Sequence, residues 1–250
     1  MDFQHDICGR GKSSKSMDII FGGKGKGLMN WYSLNKVATD SGDIWRDIDR
    51  AGPDWERYLS VSERDRVRPG DSWGRRHTFT GRYSWAVPSP AALVRLKEWL
   101  GGSKVIEVGA GRGLWARLLR DIGVTVEASD LHPPEANEFI NKRTGVDATH
   151  TWTEVVQRGG AEHAKEGSGS DALMMVWPYM DDEWTTVDWQ KDALGGFGGD
   201  KFILVGEDEG GATGSTGLWR SLNKYWRRDG MIDIPRWEGI RDRIFLFRRK

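Results

Sequence analysis

Val105-Ile106-Glu107-Val108-Gly109-Ala110-Gly111-Arg112-Gly113 is the stretch from which the rest of the chain can be read. Lys104 to Val108 carries the apolar residues Val105, Ile106 and Val108 around Glu107 and reads as a first strand. Leu114 to Arg120, followed by Gly123, predicts a helix with a glycine stop. The glycines therefore sit between a strand and a helix, the context that gives such a loop meaning. Gly109 and Gly111 allow a tight turn and close backbone approach to a ligand, and the amides beyond Gly113 offer hydrogen bonds. A dinucleotide loop spaces its glycines G-x-G-x-x-G, the third giving room beside a pyrophosphate. Here they fall as Gly109-x-Gly111-x-Gly113 after an acid, which suits a cofactor without a pyrophosphate.

Working outward toward the carboxyl terminus, strands and helices alternate, the order that builds a mostly parallel sheet with helices on both faces. Val124 to Ser129 reads as a second strand, ending at Asp130, which is placed to accept from two ribose hydroxyls. A third strand is expected near His150 to Val156. The continuous apolar run Ala172 to Trp177 and its echo Lys201 to Gly206 read as buried strands. Met231 to Ile234, a turn through Trp237-Glu238-Gly239, and Arg243 to Arg248 read as a terminal antiparallel hairpin. Toward the amino terminus, Ser89-Pro90 opens a helix with a capping hydroxyl and a proline at its first position, and Leu93, Leu96, Trp99 and Leu100 form its buried stripe. Gly70 and Gly74 bracket a loop. Ile44, Trp45, Ile48, Trp55, Tyr58 and Leu59 have helical spacing, so residues 31–82 are expected as a helical extension. Residues 1–30, rich in Gly, Lys and Ser, are expected as a solvated arm.

The composition sets the class. Of 250 residues, 38% are hydrophobic and 30% charged, and no apolar run is long enough to span a bilayer. One cysteine, Cys8, can form neither an internal disulfide nor a thiolate metal cluster, and the opening residues lack the order of a secretory signal. A cytoplasmic protein is the expectation, with no metal. The formal net charge is zero, yet ten acidic residues against two basic lie between Asp171 and Glu209, and ten basic against four acidic from Arg220 to Lys250.

The first motif and Asp130 resemble the first motif and the ribose-binding acid of class I S-adenosylmethionine-dependent methyltransferases. The resemblance covers residues 83–250. Tyr83-Ser84-Trp85-Ala86-Val87-Pro88, Asp130-Leu131-His132-Pro133-Pro134, Val176-Trp177-Pro178-Tyr179 and Gly206-Glu207 with Gly210-Gly211-Ala212-Thr213-Gly214 together resemble an uncharacterised group of methyltransferase-like proteins. It implies a Rossmann-like α/β fold with a seven-stranded sheet, and S-adenosyl-L-methionine as cofactor. The cofactor residues so implied are Glu107, Gly109, Ala110, Gly111, Gly113, Trp115, Asp130, Leu131, Gly160 and Trp177.

Substrates of open parallel sheets bind beyond the carboxyl ends of the strands, so the loops after the fourth and fifth strands carry the acceptor question. Trp177 stands where amino-type DNA methyltransferases carry Asn or Asp, which disfavours that chemistry. Trp177 either covers the sulfonium as a cation–aromatic partner or ends its strand in the core. Glu207, Asp181 and Tyr179 are the candidate catalytic residues, with Asp182, His132 and His150 as further proton acceptors. Asp181, Asp182, Glu183, Glu207, Asp208 and Glu209 predict a negative mouth and a neutral or cationic acceptor, a small molecule or protein side chain in preference to nucleic acid. Three alternatives stay open: an NAD-dependent oxidoreductase, a non-catalytic cofactor- or partner-binding domain, and a nucleic-acid methyltransferase docking through its basic carboxyl-terminal segment.

Overall fold

The computed structural model describes residues 44–46, 48, 52–53, 73–132, 151–180, 187–237 and 239–250. All belong to one unit, Ala38–Lys250. The predicted arm, most of the predicted extension, and His150 lie outside the described residues.

Seven strands form one sheet: β1 (Val105–Val108), β2 (Val126–Asp130), β3 (Val156–Gln157), β4 (Ser168–Val176), β5 (Gly198–Gly206), β6 (Trp226–Asp233) and β7 (Arg243–Arg249). Their spatial order is β3-β2-β1-β4-β5-β7-β6. Strands β1 to β5 pair in parallel, and β7 runs antiparallel between β5 and β6. The chain therefore switches direction across the sheet between β1 and β4, and the loops leaving those two strands face each other at the crevice where such sheets hold ligands.

The helices are α1 (Trp73–Arg82), α2 (Pro90–Leu100), α3 (Leu114–Asp121), α4 (Gly160–Ala164), α5 (Trp189–Gly196) and α6 (Thr216–Tyr225). Side chains alternate along β1: Ile106 and Val108 join the core with Leu173, Met175, Phe202 and Leu204 of the sheet and Ala164, Ala193, Leu194, Leu218 and Leu222 of α4, α5 and α6. Glu107 faces the other way, toward the Ala116 amide of α3. On that face Lys201 of β5 donates to the Leu100 carbonyl at 2.8 Å and to Ser103 Oγ at 2.5 Å, covering the carboxyl end of α2. Both faces of the sheet are covered by helices.

The beginning of α2 is as read: Ser89 accepts from the Ala92 amide at 3.0 Å with Pro90 in the first turn. Ser89→Ala is expected to cost about 1 kcal/mol of stability, measured by urea unfolding. Trp99, expected in the buried stripe, instead lies half-buried at the sheet edge, where its indole donates to Asp229 at 2.9 Å. The third strand is shorter and later than expected, only Val156–Gln157 at the sheet edge. Gly74 lies within a helix, not in a loop. Two glycines lower the helix propensity of Trp73–Arg82, but Arg76, Phe79, Thr80 and then Tyr83 bury along one side and the tertiary contacts prevail.

Candidate active site

The glycine loop leaves β1 in a conformation few residues other than glycine adopt. Gly109, Gly111 and Gly113 have φ of 70°, 55° and 75°. A Cβ on Gly113 would come within 2.8 Å of Val155 Cγ2 and 3.0 Å of Thr153 Cγ2, so that glycine also serves close packing. A Cβ on Gly111 would meet nothing within 4 Å, so the centre of the loop faces open space. Asp130, at the end of β2, accepts from the Gly111 amide through Oδ2 and from the His132 amide through Oδ1, both at 2.9 Å. Burial raises its pKa above the usual carboxylate range, and those two amides oppose the shift.

Glu107 is 1% exposed, and its Oε2 has no hydrogen-bond partner among the described residues. Burial pushes its pKa up to about 8, against the Ala116 amide and the Arg120 charge that favour ionisation, while Asp130 adds to the rise. An unpaired carboxyl at the root of an open glycine loop is costly unless something completes it.

Trp189, which sequence reasoning missed, forms one wall. A Cβ on Gly109 would lie 3.4 Å from its ring and one on Gly160 3.1 Å, so the indole packs against both glycines. Nothing in the local sequence distinguishes it from the other thirteen tryptophans; its place comes from α5 starting beside β1. Leu131 is exposed just past Asp130. Trp115 is placed differently from the expectation: it is buried, and its indole donates to the Ala86 carbonyl at 2.9 Å. It anchors the segment before α2 to the loop, as do Arg112, donating to the Gly81 carbonyl at 2.6 Å, and Trp152, donating to the Arg82 carbonyl at 3.0 Å.

Past β4 a second group gathers. Trp177 has φ of 50°, uncommon and strained for a bulky side chain. It is 8% exposed and stacks on Trp85 with ring centroids 5.0 Å apart. Tyr179, half exposed, meets both rings edge-on. The Arg76 guanidinium lies 5.2 and 5.3 Å from the Trp85 and Trp177 centroids. The protein thus supplies a cation of its own at Trp177, for which a sulfonium contact and a core position were both open. The Trp177 indole donates to Asp242 Oδ1 at 2.8 Å. Asp242 is fully buried, its Oδ2 has no partner among the described residues, and burial with the nearby Glu207 charge pushes its pKa up to about 7. Burial lowers the pKa of Arg76, while Asp242 and Glu207 oppose that shift.

Glu207, expected as a proton acceptor, already accepts at both oxygens. Its Oε2 accepts from the Ala212 amide at 2.7 Å and its Oε1 from the Arg241 amide at 2.8 Å, so the carboxylate ties two loops together. Asp208 pairs with Arg228, and Glu209 accepts from Asn223. The three described acids of the expected negative mouth are therefore all engaged; Asp181, Asp182 and Glu183 lie outside the described residues. His132 is exposed, with its amide on Asp130. Away from this crevice, Glu127, His163 and Glu166 bring ligand atoms within 4.8 Å of one another. Lys104 already pairs with Glu127 at 3.2 Å and Arg158 with Glu166 at 2.6 Å, so the protein's own cations neutralise that group.

No protein-family model and no curated protein sequence matches the chain. Similarity is confined to solved structures. The chain is similar to TrmN from Thermus thermophilus at 16% identity and a TM-score of 0.44, covering 74% of this chain and 54% of that one. It thus spans about half the length of that protein. It is also similar to the magnesium protoporphyrin IX methyltransferase ChlM from Synechocystis PCC 6803 with bound SAM, at 14% identity and a TM-score of 0.43, covering 92% and 99% of the two chains. A third is a TehB-like SAM-dependent methyltransferase from Corynebacterium glutamicum, at 14% identity and a TM-score of 0.39, covering 87% and 99%. At such identities the functional reading falls to the residues of the crevice itself. No helix among the described residues is long and apolar enough to cross a membrane.

Proposed function

We propose that this chain is an S-adenosyl-L-methionine-dependent methyltransferase acting on a small molecule or a protein side chain. The observation that carries the reading is the glycine loop between β1 and α3, with buried Glu107 at its root, one carboxyl oxygen unpartnered among the described residues, and the Asp130 carboxylate bonded to its central amide. The residues fit the cofactor in three respects. Gly111 faces open space and, among the described residues, Glu107 Oε2 lacks a partner and each Asp130 oxygen accepts one of the two hydrogen bonds it can take. Glu107 and the loop would hold the methionine part, Asp130 the ribose hydroxyls, and Gly160 with Trp189 the border of the adenine.

When bound, the cofactor supplies an electrophilic methyl group on a sulfonium. The protein's work is then mainly to align the acceptor and exclude water, which accounts for much of the rate gain in such transfers. Trp85, Trp177 and Tyr179 supply an apolar wall past β4 for that purpose. Asp242, fully buried, holds the Trp177 indole of that wall through a hydrogen bond at 2.8 Å. Asp181 and Tyr179 remain candidates for contact with the acceptor.

Nucleic acid is disfavoured because four arginines of the closing hairpin are neutralised in place: Arg227, Arg228, Arg243 and Arg248 each pair with an aspartate. Polyanion docking needs cations free to meet phosphates. Radiolabelled methyl incorporation should be measured on a small-amine panel, a basic histone-like protein, duplex DNA and structured RNA, at low and moderate salt. Transfer to an amine or protein is expected. Robust transfer to nucleic acid that weakens steeply as salt rises would overturn the acceptor assignment.

A further inference from the structure

Between α5 and α6, on the outer side of the core, lies a cavity of about 360 Å³ lined by Asp188, Lys191, Gly217, Arg220, Ser221, Lys224 and Tyr225. Its volume is at the small end of ligand pockets. Its shape follows from the sequence of α6. Gly217, Arg220, Ser221 and Lys224 recur at i, i+3, i+4 and i+7 and so share one helix face, while Leu218, Trp219 and Leu222 bury the opposite one. Two small residues one turn apart leave a floor, and two long cations one turn apart flank it.

The charges on this face are arranged against local stability. Arg220 and Lys224 stand at i and i+4, a spacing at which like charges destabilise a helix. Arg220 has neither an ion pair nor a side-chain hydrogen bond among the described residues, in contrast to the paired arginines of the closing hairpin. Lys191 of α5 brings a third cation, whose ion pair is with its own neighbour Asp192 at 4.0 Å. The one carboxylate of the lining, Asp188, is occupied in capping: its Oδ1 accepts from the Lys191 amide at 3.0 Å and from Ser215 Oγ at 2.7 Å. Gly217 is required for that arrangement, since a Cβ there would collide with Asp188 Oδ2. Three cations thus line a small concave site that holds one committed acid. The half-exposed Tyr225 ring lies beside Lys224, its centroid 4.9 Å from Nζ.

We propose that this cavity is a binding site for a small phosphate ester. Lys191, Arg220 and Lys224 surround the anion, Ser221 offers a hydroxyl, and Tyr225 gives a ring edge for the rest of the ligand. Arginine and lysine together satisfy the several acceptor oxygens of a phosphate, and the volume suits a small metabolite better than a polymer. The site is separate from the crevice of the proposed reaction, so the inference stands whether or not the chain transfers methyl groups.

Isothermal titration of the full chain with inorganic pyrophosphate, at constant ionic strength, tests it. One saturable site is expected, with affinity falling at least tenfold in the double variant Arg220→Gln/Lys224→Gln and unchanged in Arg228→Gln, whose arginine pairs with Asp208. Without ligand, the double variant is expected to melt at or above the parent's temperature, because a like-charge pair has been removed. Absence of binding at millimolar pyrophosphate, or equal binding by the double variant, would overturn the proposal. So would a lower melting temperature of the ligand-free double variant, which would make these cations part of the fold. A short single-stranded RNA serves as the competing source of phosphate: binding to it that is tighter than to pyrophosphate and lost in the double variant would overturn the small-ligand assignment in favour of a nucleic-acid backbone.

Discussion

Glu107→Gln is expected to make the protein more stable at pH 8.5 while leaving it nearly unchanged near pH 4.5. The folded chain holds the Glu107 proton to about pH 8, whereas the unfolded chain releases it near 4.5. A raised carboxyl pKa contributes its full stability below the unfolded value and loses it as pH climbs through the folded one, so the erosion falls between about 4.5 and 8. At about 1.4 kcal/mol per pH unit the loss amounts to several kcal/mol, large beside the total stability of a domain. Asp242, shifted from 3.8 to about 7, erodes stability in an overlapping window. Chemical unfolding of the parent and of Glu107→Gln from pH 5 to 9 should therefore show a steep fall for the parent and a shallower one for the variant. Parallel curves would mean that Glu107 is already ionised in the folded state. A second consequence concerns the ligand: a cationic group placed against Glu107 favours its ionised form, so cofactor binding should release a proton and tighten as pH rises from 6 to 8.

Asp130→Ala is expected to weaken S-adenosylmethionine binding by roughly 10- to 100-fold, from loss of a charge-assisted hydrogen bond of about 1.5–3 kcal/mol. The same change removes the acceptor of the Gly111 and His132 amides, so part of the loss would come from a loosened loop. Asp130→Asn separates the two contributions, because it keeps the side chain's shape and one oxygen acceptor but not the charge. Equilibrium binding of S-adenosylhomocysteine to both variants, read beside their unfolding curves, measures each. Affinity equal to the parent's in the alanine variant, with an intact melting transition, would place the ribose elsewhere.

The legible part of this molecule is the part written locally. The strand-loop-helix from Val105 to Asp121 follows from adjacent apolar residues and three glycines, and each glycine has the left-handed backbone that makes its presence informative. The closing hairpin was legible because Ile244, Phe245, Leu246 and Phe247 form a continuous apolar run inside Arg243–Arg249, and all four bury where the strand pairs with β5 and β6. Strand β3 was poorly placed because two exposed residues at a sheet edge carry no hydrophobic signal. Helix α1 was hidden by Gly74 and Gly81, and only the burial of Arg76 and Phe79 reveals it.

The candidate site divides in the same way. Glu107, the glycines and Asp130 lie on two adjacent strands and the loop between β1 and α3, so their nearness to one another could be read from the sequence. Asp242 meets Trp177 across 65 residues of sequence, and it lies inside Arg241-Asp242-Arg243, a triplet that reads as solvated surface. Trp85 and Arg76 reach the same group from before the sheet begins. The loop-tying bonds of Glu207 were not legible, because a carboxylate after a strand looks alike whether it faces a substrate or accepts the amides of two loops.

If the glycine loop and Asp130 hold S-adenosylmethionine, isothermal titration of the folded parent chain with S-adenosylhomocysteine, with NAD as a parallel titrant, should give saturable one-to-one binding of S-adenosylhomocysteine, weakened in Asp130→Asn, and no heat from NAD. Binding of NAD, or no binding of S-adenosylhomocysteine at millimolar concentration by folded protein, would contradict it.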